Sequence, residues 1–569
     1  MKKIVLSLTL GLGLLSFVLI GIQPFFSLIN SNSPITQLEV SAQSNEQEVI
    51  HKEITIMPDG HFLETYLCEN GTYVHNEKPD VPISMNIFRN YYTFTGDVYG
   101  HLVIERDNIV VDGAGHKLQL EGYRSFAISA GIRDRAHSNT EFVGTNNVVI
   151  TNMIIENLGY GIELAGSNNV VSKVTLTGGG DSNTKAIWDS GSNNIIRECR
   201  IVATEGTGIY VAGSGTIISD NYIADNGASG IEFPGSAGML KNNKLVNNRR
   251  VFDFDTLPST SDIIDPSNMV DGKPAYCLVN EHGKTVPSEA GYVLLSNCTN
   301  VTVEGISILN NSDSLTHNSN GVYLYSTRDS LVKRNYLQDG AGIKIGSSCQ
   351  NLTIAENYVG SGGISLVSSS NVSITGNKVH VSGISLYSTT GCLMFNNTFN
   401  ECATGMHLRT AHQNRIHQNS ITNCDIGVSI FKSDKNVFDG NNFVSNGQDV
   451  LENHLTFEWP GYVYYESVNN IWDGNFWSSY TGKDANRDGV GDTPHIVYED
   501  KRDNFPLISE VDIPELILEP KNSSSPPDTT HGASEPLPST ENITITVTVF
   551  VVAVVIFSVL LVYFKKRKH

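Results

Sequence analysis

Residues 484–492, Asp-Ala-Asn-Arg-Asp-Gly-Val-Gly-Asp, have the residue types and the spacing of a calcium-binding loop. Oxygen ligands stand at alternate loop positions, and the glycine at the sixth position permits the sharp bend that such loops need. The predicted calcium ligands are Asp484, Asn486, Asp488, Val490 (through its carbonyl) and Asp492. His495 stands where the bidentate carboxylate of such loops is expected, so an acidic turn without an ion is the alternative.

Glu163, Trp188, Tyr210 and Glu232 occupy the same outward place in a strand pattern that recurs along the chain. Aromatic rings flanked by carboxylates can stack a sugar ring and bind its hydroxyls, which predicts a carbohydrate-binding surface. The alternative is that these aromatic side chains only stabilise the sheet. Glu163 and Glu232 lie three repeats apart, about 14 Å, which is too far for the paired carboxylates of a glycosidase.

Few other acidic residues in the repeats are candidates for catalysis. Asp253 and Asp255 carry carboxylates, but nothing in the sequence fixes their partners, and the repeats show no acidic pair in register. Catalysis is therefore not assigned from the sequence, and no catalytic residue is named.

Histidines offer the nearest approach to a copper site. His407, His412 and His417 fall within one repeat, and copper favours clustered His, Cys or Met ligands. His407 and His417 belong to different strands, so we predict that these three histidines form no tight copper site.

The elements that position these residues are short strands in a repeat of about 21 residues. Between Asp329 and Phe443 a six-residue motif occurs six times. It consists of an apolar residue, two variable residues, Asn, one variable residue and a second apolar residue. Its asparagines are Asn335, Asn357, Asn377, Asn397, Asn419 and Asn441. A fixed period with alternating apolar residues indicates a solenoid of parallel β-strands, in which stacked asparagine side chains hydrogen-bond from coil to coil.

The two ends of the chain are apolar. Lys2 and Lys3 precede a hydrophobic run that predicts a secretory signal or an anchor. Residues 543–564 carry no charge and are followed by a basic cluster, which predicts a membrane-spanning helix with a cytoplasmic C-terminus. The body of the protein is then extracellular, and sequons such as Asn297 and Asn300 suit a glycoprotein.

The predicted organisation follows from these signals. In order, it comprises a signal peptide or N-terminal anchor (1–27), an N-terminal cap region (43–100), β-helix coils (101–246), an excursion from the coils (247–295), further coils (296–477), a C-terminal cap with the calcium loop (478–510), a disordered stalk (511–542), a transmembrane helix (543–564) and a basic tail (565–569). The net charge of -21 argues against nucleic acid as a partner. Cys402 and Cys424 are one coil apart, where a disulfide and a buried thiol pair are equally open.

Four segments together resemble a known family. They are Tyr92–Gly96, Asp107–Gly115, Asp271–Tyr276 and Gly474–Ser478. With the repeats they resemble the NosD-like right-handed parallel β-helix family of secreted and archaeal-type cell-surface proteins, over roughly residues 50 to 508. The resemblance implies an all-β, right-handed, pectate-lyase-like β-helix.

The same resemblance frames three functional hypotheses. The first is a membrane-tethered extracellular protein that binds a cell-surface glycan or another polymer. The second is a β-helix hydrolase or lyase acting on polysaccharide, and the third is a NosD-type factor for copper-related maturation. The sequence favours the first, because it provides a column of aromatic residues and no catalytic pair.

Overall fold

The computed structural model describes residues 49–520, except 69–72, 78, 121–125, 134–141, 157–158, 235–237, 255–263, 310–320, 339 and 459–460. The predicted N-terminal segment, transmembrane helix and basic tail, and most of the predicted stalk, lie outside the described residues. No helix in the described part of the chain is long and apolar enough to cross a membrane. The described residues fall into two compact units. The larger unit comprises 52–65 and 75–520, and the smaller one includes the ends of three N-terminal strands.

The larger unit is a right-handed parallel β-helix, as the sequence predicted. The coils place short strands on three faces of the solenoid, which we call faces 1, 2 and 3 in the order in which the chain meets them. The strand pairing of face 1 is interrupted between Arg250–Phe254 and Lys273–Val279. Short runs of alternating apolar and polar residues, rich in Ile, Val and Leu, favour such strands because one side of each strand packs inward. The described secondary structure consists of strands alone.

The strands have the following bounds. Face 1 contains Val49–Ile56, His101–Ile104, Phe126–Arg133, Tyr160–Leu164, Lys185–Asp189, Thr207–Val211, Ser229–Phe233, Arg250–Phe254, Lys273–Val279, Tyr292–Ser296, Gly321–Tyr325, Gly342–Ile345, Ile364–Val367, Ile384–Tyr387, Thr404–Arg409, Ile426–Phe431 and Gln448–Asn453. Face 2 contains Tyr91–Phe94, Val110–Asp112, Ile195–Arg197, Ile217–Ser219, Met239–Lys241, Thr285–Val286, Thr302–Glu304, Leu331–Lys333, Thr353–Ala355, Ser373–Thr375, Leu393–Phe395, Arg415–His417 and Val437–Asp439.

Face 3 and the remaining strands complete the set. Face 3 contains Val98–Tyr99, Lys117–Gln119, Arg200–Val202, Tyr222–Ala224, Lys244–Val246, Met269–Val270, Ser307–Ile308, Tyr336–Leu337, Tyr358–Val359, Lys378–His380, Thr398–Asn400, Ser420–Thr422, Asn442–Val444 and Phe476–Trp477. Val149–Glu156 and Val170–Thr177 run through faces 2 and 3. Strands outside these stacks are Phe62–Cys68, Tyr73–Asn76, Ile83–Met85, Phe142–Gly144, Leu455–Glu458, Gly461–Tyr464, His495–Tyr498 and Lys501–Asp503.

An asparagine ladder runs through the turns between faces 2 and 3, which confirms the prediction from the repeat. The Nδ2 group of Asn357 donates to Oδ1 of Asn377 at 2.9 Å and to the carbonyl of Val332 at 3.0 Å. The Oδ1 atom of Asn357 accepts from the backbone N–H of Asn335 at 3.0 Å. This pattern repeats to Asn475, so buried amides that would otherwise lack partners are satisfied coil by coil.

Two buried carboxylates act as hydrogen-bond acceptors at turns of the solenoid, Asp503 at the end of this ladder and Asp189 at the end of a face 1 strand. Asp503, which is 0% exposed, accepts from the backbone N–H groups of Gly474 and Asn475 at 2.9 and 2.8 Å and from Trp477 Nε1 at 2.9 Å. Asp189, on face 1, accepts from Asn194 Nδ2 at 2.6 Å. Burial raises the pKa of Asp189, and its hydrogen bonds oppose that rise.

The solenoid contains two hydrophobic cores rather than one continuous core. The first extends from Ile54 to Leu294, and the second begins at Val286. The strands Lys273–Val279 and Tyr292–Ser296 lie between them. In the second of these strands, for example, Leu294 belongs to the first core and Val293 to the second. Arg250–Phe254, inside the segment predicted as an excursion, pairs in parallel with Ser229–Phe233 and so extends the first stack by a further strand.

The cysteine pair is present as two thiols. Cys402 and Cys424 are buried in adjacent coils, and both are free. Contact with Cys424, together with burial, holds the pKa of the Cys402 thiol well above its ordinary value. The structure thus favours the thiol pair over the disulfide.

Candidate functional site

The four residues of the predicted carbohydrate surface lie in register on adjacent strands of face 1. Glu163 pairs with Trp188, Trp188 with Tyr210, and Tyr210 with Glu232. Their backbone positions therefore form a single column across the sheet. The apolar neighbours of each residue, such as Ile209 beside Tyr210, point inward and are buried.

The aromatic members of this column contact one another. The rings of Trp188 and Tyr210 are 5.5 Å apart at an interplanar angle of 73°, and Phe126 approaches Trp188 at 5.8 Å. Both Trp188 and Tyr210 are half-buried, so part of each side chain faces solvent. Lys185 Nζ lies 5.3 Å from the centre of the Tyr210 ring.

The two glutamates of the column have different surroundings. Glu163 is only 8% exposed, and its Oε2 accepts from Ser129 Oγ at 3.0 Å, so the expected exposed position is wrong for this residue. Glu232 keeps a quarter of its side chain exposed, accepts from Thr207 Oγ1 at 2.9 Å and lies 4.0 Å from Lys185 Nζ. Of the two, Glu232 is the carboxylate that a surface ligand can reach.

The column continues on the next strand with Asp253, a residue that the sequence analysis did not assign to this column. Asp253 is the register partner of Glu232 on the next strand, which puts their Cα atoms about one strand spacing, roughly 4.8 Å, apart. The expectation that no acidic pair lies in register is therefore wrong. Arg249-Arg250 and the broken rhythm concealed this strand, although the alternation in Val251–Phe254 was a usable signal.

Residues of the second stack lie beside Asp253. Phe252 contacts the Tyr292 ring at 5.1 Å, and Tyr292 stacks on Tyr323 at 5.3 Å. Lys344 Nζ lies 5.3 Å from the centre of the Tyr323 ring. Burial lowers the pKa of Lys344, and the Arg250 guanidinium lowers it further.

We call Trp188, Tyr210, Glu232 and Asp253 the aromatic–acidic strip. Arg250 forms an ion pair with Asp253, and Lys185 lies beside Glu232. The strip thus combines two ring surfaces with charged groups of both signs along one partly exposed sheet surface. Such an arrangement can stack a ring and exchange hydrogen bonds with hydroxyl or carboxylate groups.

The three histidines considered for copper have separate environments. His407 lies on face 1 between Ser385 and Ser429, whereas His417 lies on face 2. His412 Nδ1 contacts the backbone N–H of Asp434 at 3.1 Å in a turn. The three histidines thus lie on two faces and in a turn, and the absence of a tight copper site stays a prediction.

The predicted calcium loop has the expected bend. Asp484 Oδ2 accepts from the backbone N–H of Gly489 at 3.0 Å, and Asp488 Oδ1 accepts from Val490 at 2.9 Å. Gly489 has φ +86°, a conformation that favours glycine. Asp492 Oδ2 accepts from Ala485 N–H at 2.8 Å. The carboxylates gather around backbone donors, and calcium binding stays a prediction.

Calcium is expected to raise the melting temperature of the full-length chain, because an ion relieves repulsion among these carboxylates. At a hundredfold excess over Kd the gain is about 2.7 kcal/mol. An Asp484→Ala, Asp488→Ala double variant should lose the rise, whereas Asp512→Ala, outside the loop, should keep it. Differential scanning calorimetry with calcium and with chelator is the measurement, and equal melting temperatures for the unmodified chain would contradict the prediction.

Comparison with known proteins gives two family matches. Residues 267–482 match the model described as periplasmic copper-binding protein (NosD), and residues 109–257 match the model described as right-handed beta helix region. These matches confirm the resemblance inferred from the repeats. No curated protein matches the chain.

Several solved structures are similar at low identity. The A-module of mannuronan C-5 epimerase AlgE4 from Azotobacter vinelandii is 12% identical, covering 65% of this chain and 91% of that chain with a TM-score of 0.24. The periplasmic alginate epimerase AlgG is 11% identical (70% and 81%, TM-score 0.24). The tailspike protein of E. coli bacteriophage HK620, in complex with a pentasaccharide, is 13% identical (63% and 67%, TM-score 0.24). At these TM-scores the likeness carries no argument about function.

Proposed function

We propose that this chain, a right-handed β-helix protein whose second half includes a NosD-family region, binds a polysaccharide or another surface polymer through the aromatic–acidic strip. The observation that supports the proposal is the register of Trp188 and Tyr210 with Glu232 and Asp253 on adjacent strands. A chain-like ligand suits this strip, because successive strands present side chains at a constant spacing.

The chemistry of the strip matches that of a sugar. An aromatic ring buries the apolar face of a pyranose, and a carboxylate accepts hydrogen bonds from its hydroxyls. Lys185 and Arg250, which neighbour the carboxylates, supply donors for oxygen atoms of the ligand. The combination of ring surface with acceptors and donors distinguishes this surface from a purely apolar patch.

The proposal includes a cellular setting that derives from the sequence. The predicted helix 543–564 would hold the protein in the cell membrane as a single-pass protein, with the β-helix outside and the basic tail in the cytoplasm. The predicted stalk would hold the strip away from the bilayer. A surface glycan or polymer is then the accessible partner.

Binding should depend on the aromatic pair. Tyr210→Ala and Trp188→Ala are each expected to weaken the binding of any glycan found on an array by tenfold or more, because truncating a central aromatic contact costs about 2 kcal/mol. Tyr222→Ala is the matched control, since Tyr222 is a half-buried aromatic residue on face 3 beside Arg200. Titration calorimetry with the captured glycan measures the effect.

Two results would contradict the binding proposal. One is an array on which the full-length chain captures no glycan. The other is an equal loss of affinity in Tyr210→Ala and Tyr222→Ala, which would locate binding away from the strip.

The Glu232–Asp253 pair favours a second candidate, a polysaccharide hydrolase or lyase. Retaining glycosidases hold their carboxyl groups about 5 to 5.5 Å apart, which is close to one strand spacing. Against this candidate, Asp253 is paired with Arg250, and Glu232 is hydrogen-bonded to Thr207. Reducing-sugar release that is lost in Glu232→Gln would favour the enzyme, whereas glycan binding without release favours the binding protein.

A further inference from the structure

The last strand of face 1 carries a carboxylate where earlier coils carry aliphatic side chains. Glu452 is the register partner of Ile430, which in turn follows Leu408 in the inward column. The Glu452 side chain is only 2% exposed. Its Oε1 accepts from the backbone N–H of Ser467 at 2.6 Å, while its buried Oε2 makes no hydrogen bond among the described residues. Burial and the neighbouring Glu452 carboxylate raise the pKa of the Tyr498 hydroxyl, so this hydroxyl lies beside the carboxylate. A cation near Glu452 would offset the cost of burying its charge.

Two further ligand groups converge on this carboxylate. His454 Nε2 lies 3.2 Å from Glu499 Oε1, and His454 Nδ1 lies 4.0 Å from Glu452 Oε1. One ligand atom from each of the three residues lies within 4.8 Å of the other two. Glu452 and His454 come from the end of the last face 1 strand and Glu499 from the hairpin of His495–Tyr498 with Lys501–Asp503.

The histidine ring is held as a metal ligand needs to be held. Its Nδ1 atom is 3.1 Å from the carbonyl of Tyr465, which can accept only from a protonated Nδ1. In the neutral ring this bond leaves the Nε2 lone pair facing Glu499 Oε1 at 3.2 Å, so either a proton on Nε2 or a bound metal ion must lie between the two atoms. Tyr464 stacks on the ring at 4.8 Å and 13°, which fixes its plane.

A cavity of about 460 Å³ gives access to this place. Glu452 and Glu499 line it, together with Asp449, His495 and Tyr498. His454 is not among the lining residues, so the cavity reaches the two carboxylates from the side away from the imidazole and offers a path by which an ion can approach them.

We propose that Glu452, His454 and Glu499 bind one divalent first-row metal ion of the zinc class. One imidazole and two carboxylates form a nitrogen and oxygen donor set that suits Zn²⁺ or Mn²⁺, whereas Ca²⁺ takes oxygen ligands and Cu(I) prefers sulfur. Two carboxylates balance the charge of the ion. The bound ion joins the last face 1 strand to the hairpin of His495–Tyr498 with Lys501–Asp503. It thereby stabilises the C-terminal end of the solenoid.

Zinc titration of the chelator-treated, full-length chain tests the proposal. The titration is done by calorimetry in excess calcium, so that the 484–492 loop does not compete for zinc. We expect one Zn²⁺ per chain, with affinity reduced at least tenfold in Glu499→Gln and in His454→Gln. Asp500→Asn is the matched control, because Asp500 is adjacent to Glu499 and 82% of its side chain is exposed, and its affinity should be unchanged.

A second readout separates binding from folding. Zinc should raise the melting temperature of the unmodified chain and of Asp500→Asn, but not that of Glu499→Gln, whose altered side chain is 61% exposed in the unmodified protein and should not disturb folding. Absence of saturable zinc binding would overturn the proposal and leave a protonated His454 as the partner of both carboxylates. Equal zinc affinity in Glu499→Gln and Asp500→Asn would overturn it as well.

Discussion

Replacing Asp503 with alanine is expected to lower the free energy of unfolding of the last coils by about 3 kcal/mol or more, because several buried donors would lose their acceptor. Asp503 accepts from the backbone N–H groups of Gly474, Asn475 and Phe505 and from Trp477 Nε1, at 2.8 to 2.9 Å. The asparagine ladder ends at Asn475, where Asp503 rather than a further asparagine is the acceptor among the described residues. The carboxylate therefore stands in for the missing asparagine.

Hydrogen exchange measures this loss where it occurs, since a solenoid can open from one end. Backbone amides of residues 471–478 should exchange much faster in Asp503→Ala, while those of residues 335–379 should change little. Asp500→Ala, an exposed change in the same hairpin, should stay within about 0.5 kcal/mol of the unmodified chain. Similar exchange in Asp503→Ala and Asp500→Ala would show that Asp503 does not stabilise the end of the ladder.

Asn397→Ala in the middle of the ladder is expected to lower the free energy of unfolding by about 2 to 4 kcal/mol. Asn397 is 0% exposed. Its Oδ1 accepts from both the backbone N–H and Nδ2 of Asn377 at 2.9 Å, and its Nδ2 donates to Asn419 Oδ1 at 2.9 Å and to the Ile374 carbonyl at 2.8 Å. Alanine would remove the acceptor of the Asn377 backbone N–H and the donor to the Ile374 carbonyl, and it would leave a void. Asn419 Oδ1 would keep its hydrogen bond from the backbone N–H of residue 397.

Asn400→Ala provides the comparison for this second change. Asn400 lies on face 3 of the same coil, and its half-buried side chain donates to Glu401 at 3.1 Å near the surface. Urea denaturation should place the midpoint of Asn397→Ala well below that of Asn400→Ala. Coincident midpoints would mean that the ladder asparagines contribute no more than surface residues.

The repeat predicted from the sequence determines most of the fold, because inward residues and turn asparagines recur at fixed offsets. Asn357 and Asn377 could be assigned to one ladder from their spacing alone. The strand of Asp253 was harder to assign, since Arg249-Arg250 interrupts the apolar rhythm and only the short alternation in Val251–Phe254 indicates a strand there. Where the repeat of apolar residues is interrupted, the sequence no longer indicates which residues share a face.

The remaining site residues depend on contacts that leave no local pattern. Glu452 and Glu499 come together only because the C-terminal hairpin folds back on the last coil. Asp503 likewise reaches Asn475 from beyond the repeats. The burial of Glu163 could not be predicted either, since its position in the strand pattern indicated only that the side chain points away from the core.

The direction of the asparagine ladder determines how the protein can change in length. Each amide accepts from the coil before it and donates to the coil after it, with steps of 20 or 22 residues between Asn335 and Asn441. An interior coil would meet the same partners wherever it was inserted, so duplication or deletion of one whole coil leaves every amide paired. The terminal coil has no such freedom, because Asp503 fits only the last asparagine. With respect to the ladder, interior coils are therefore interchangeable as complete units, whereas the C-terminal end is specific to the last asparagine.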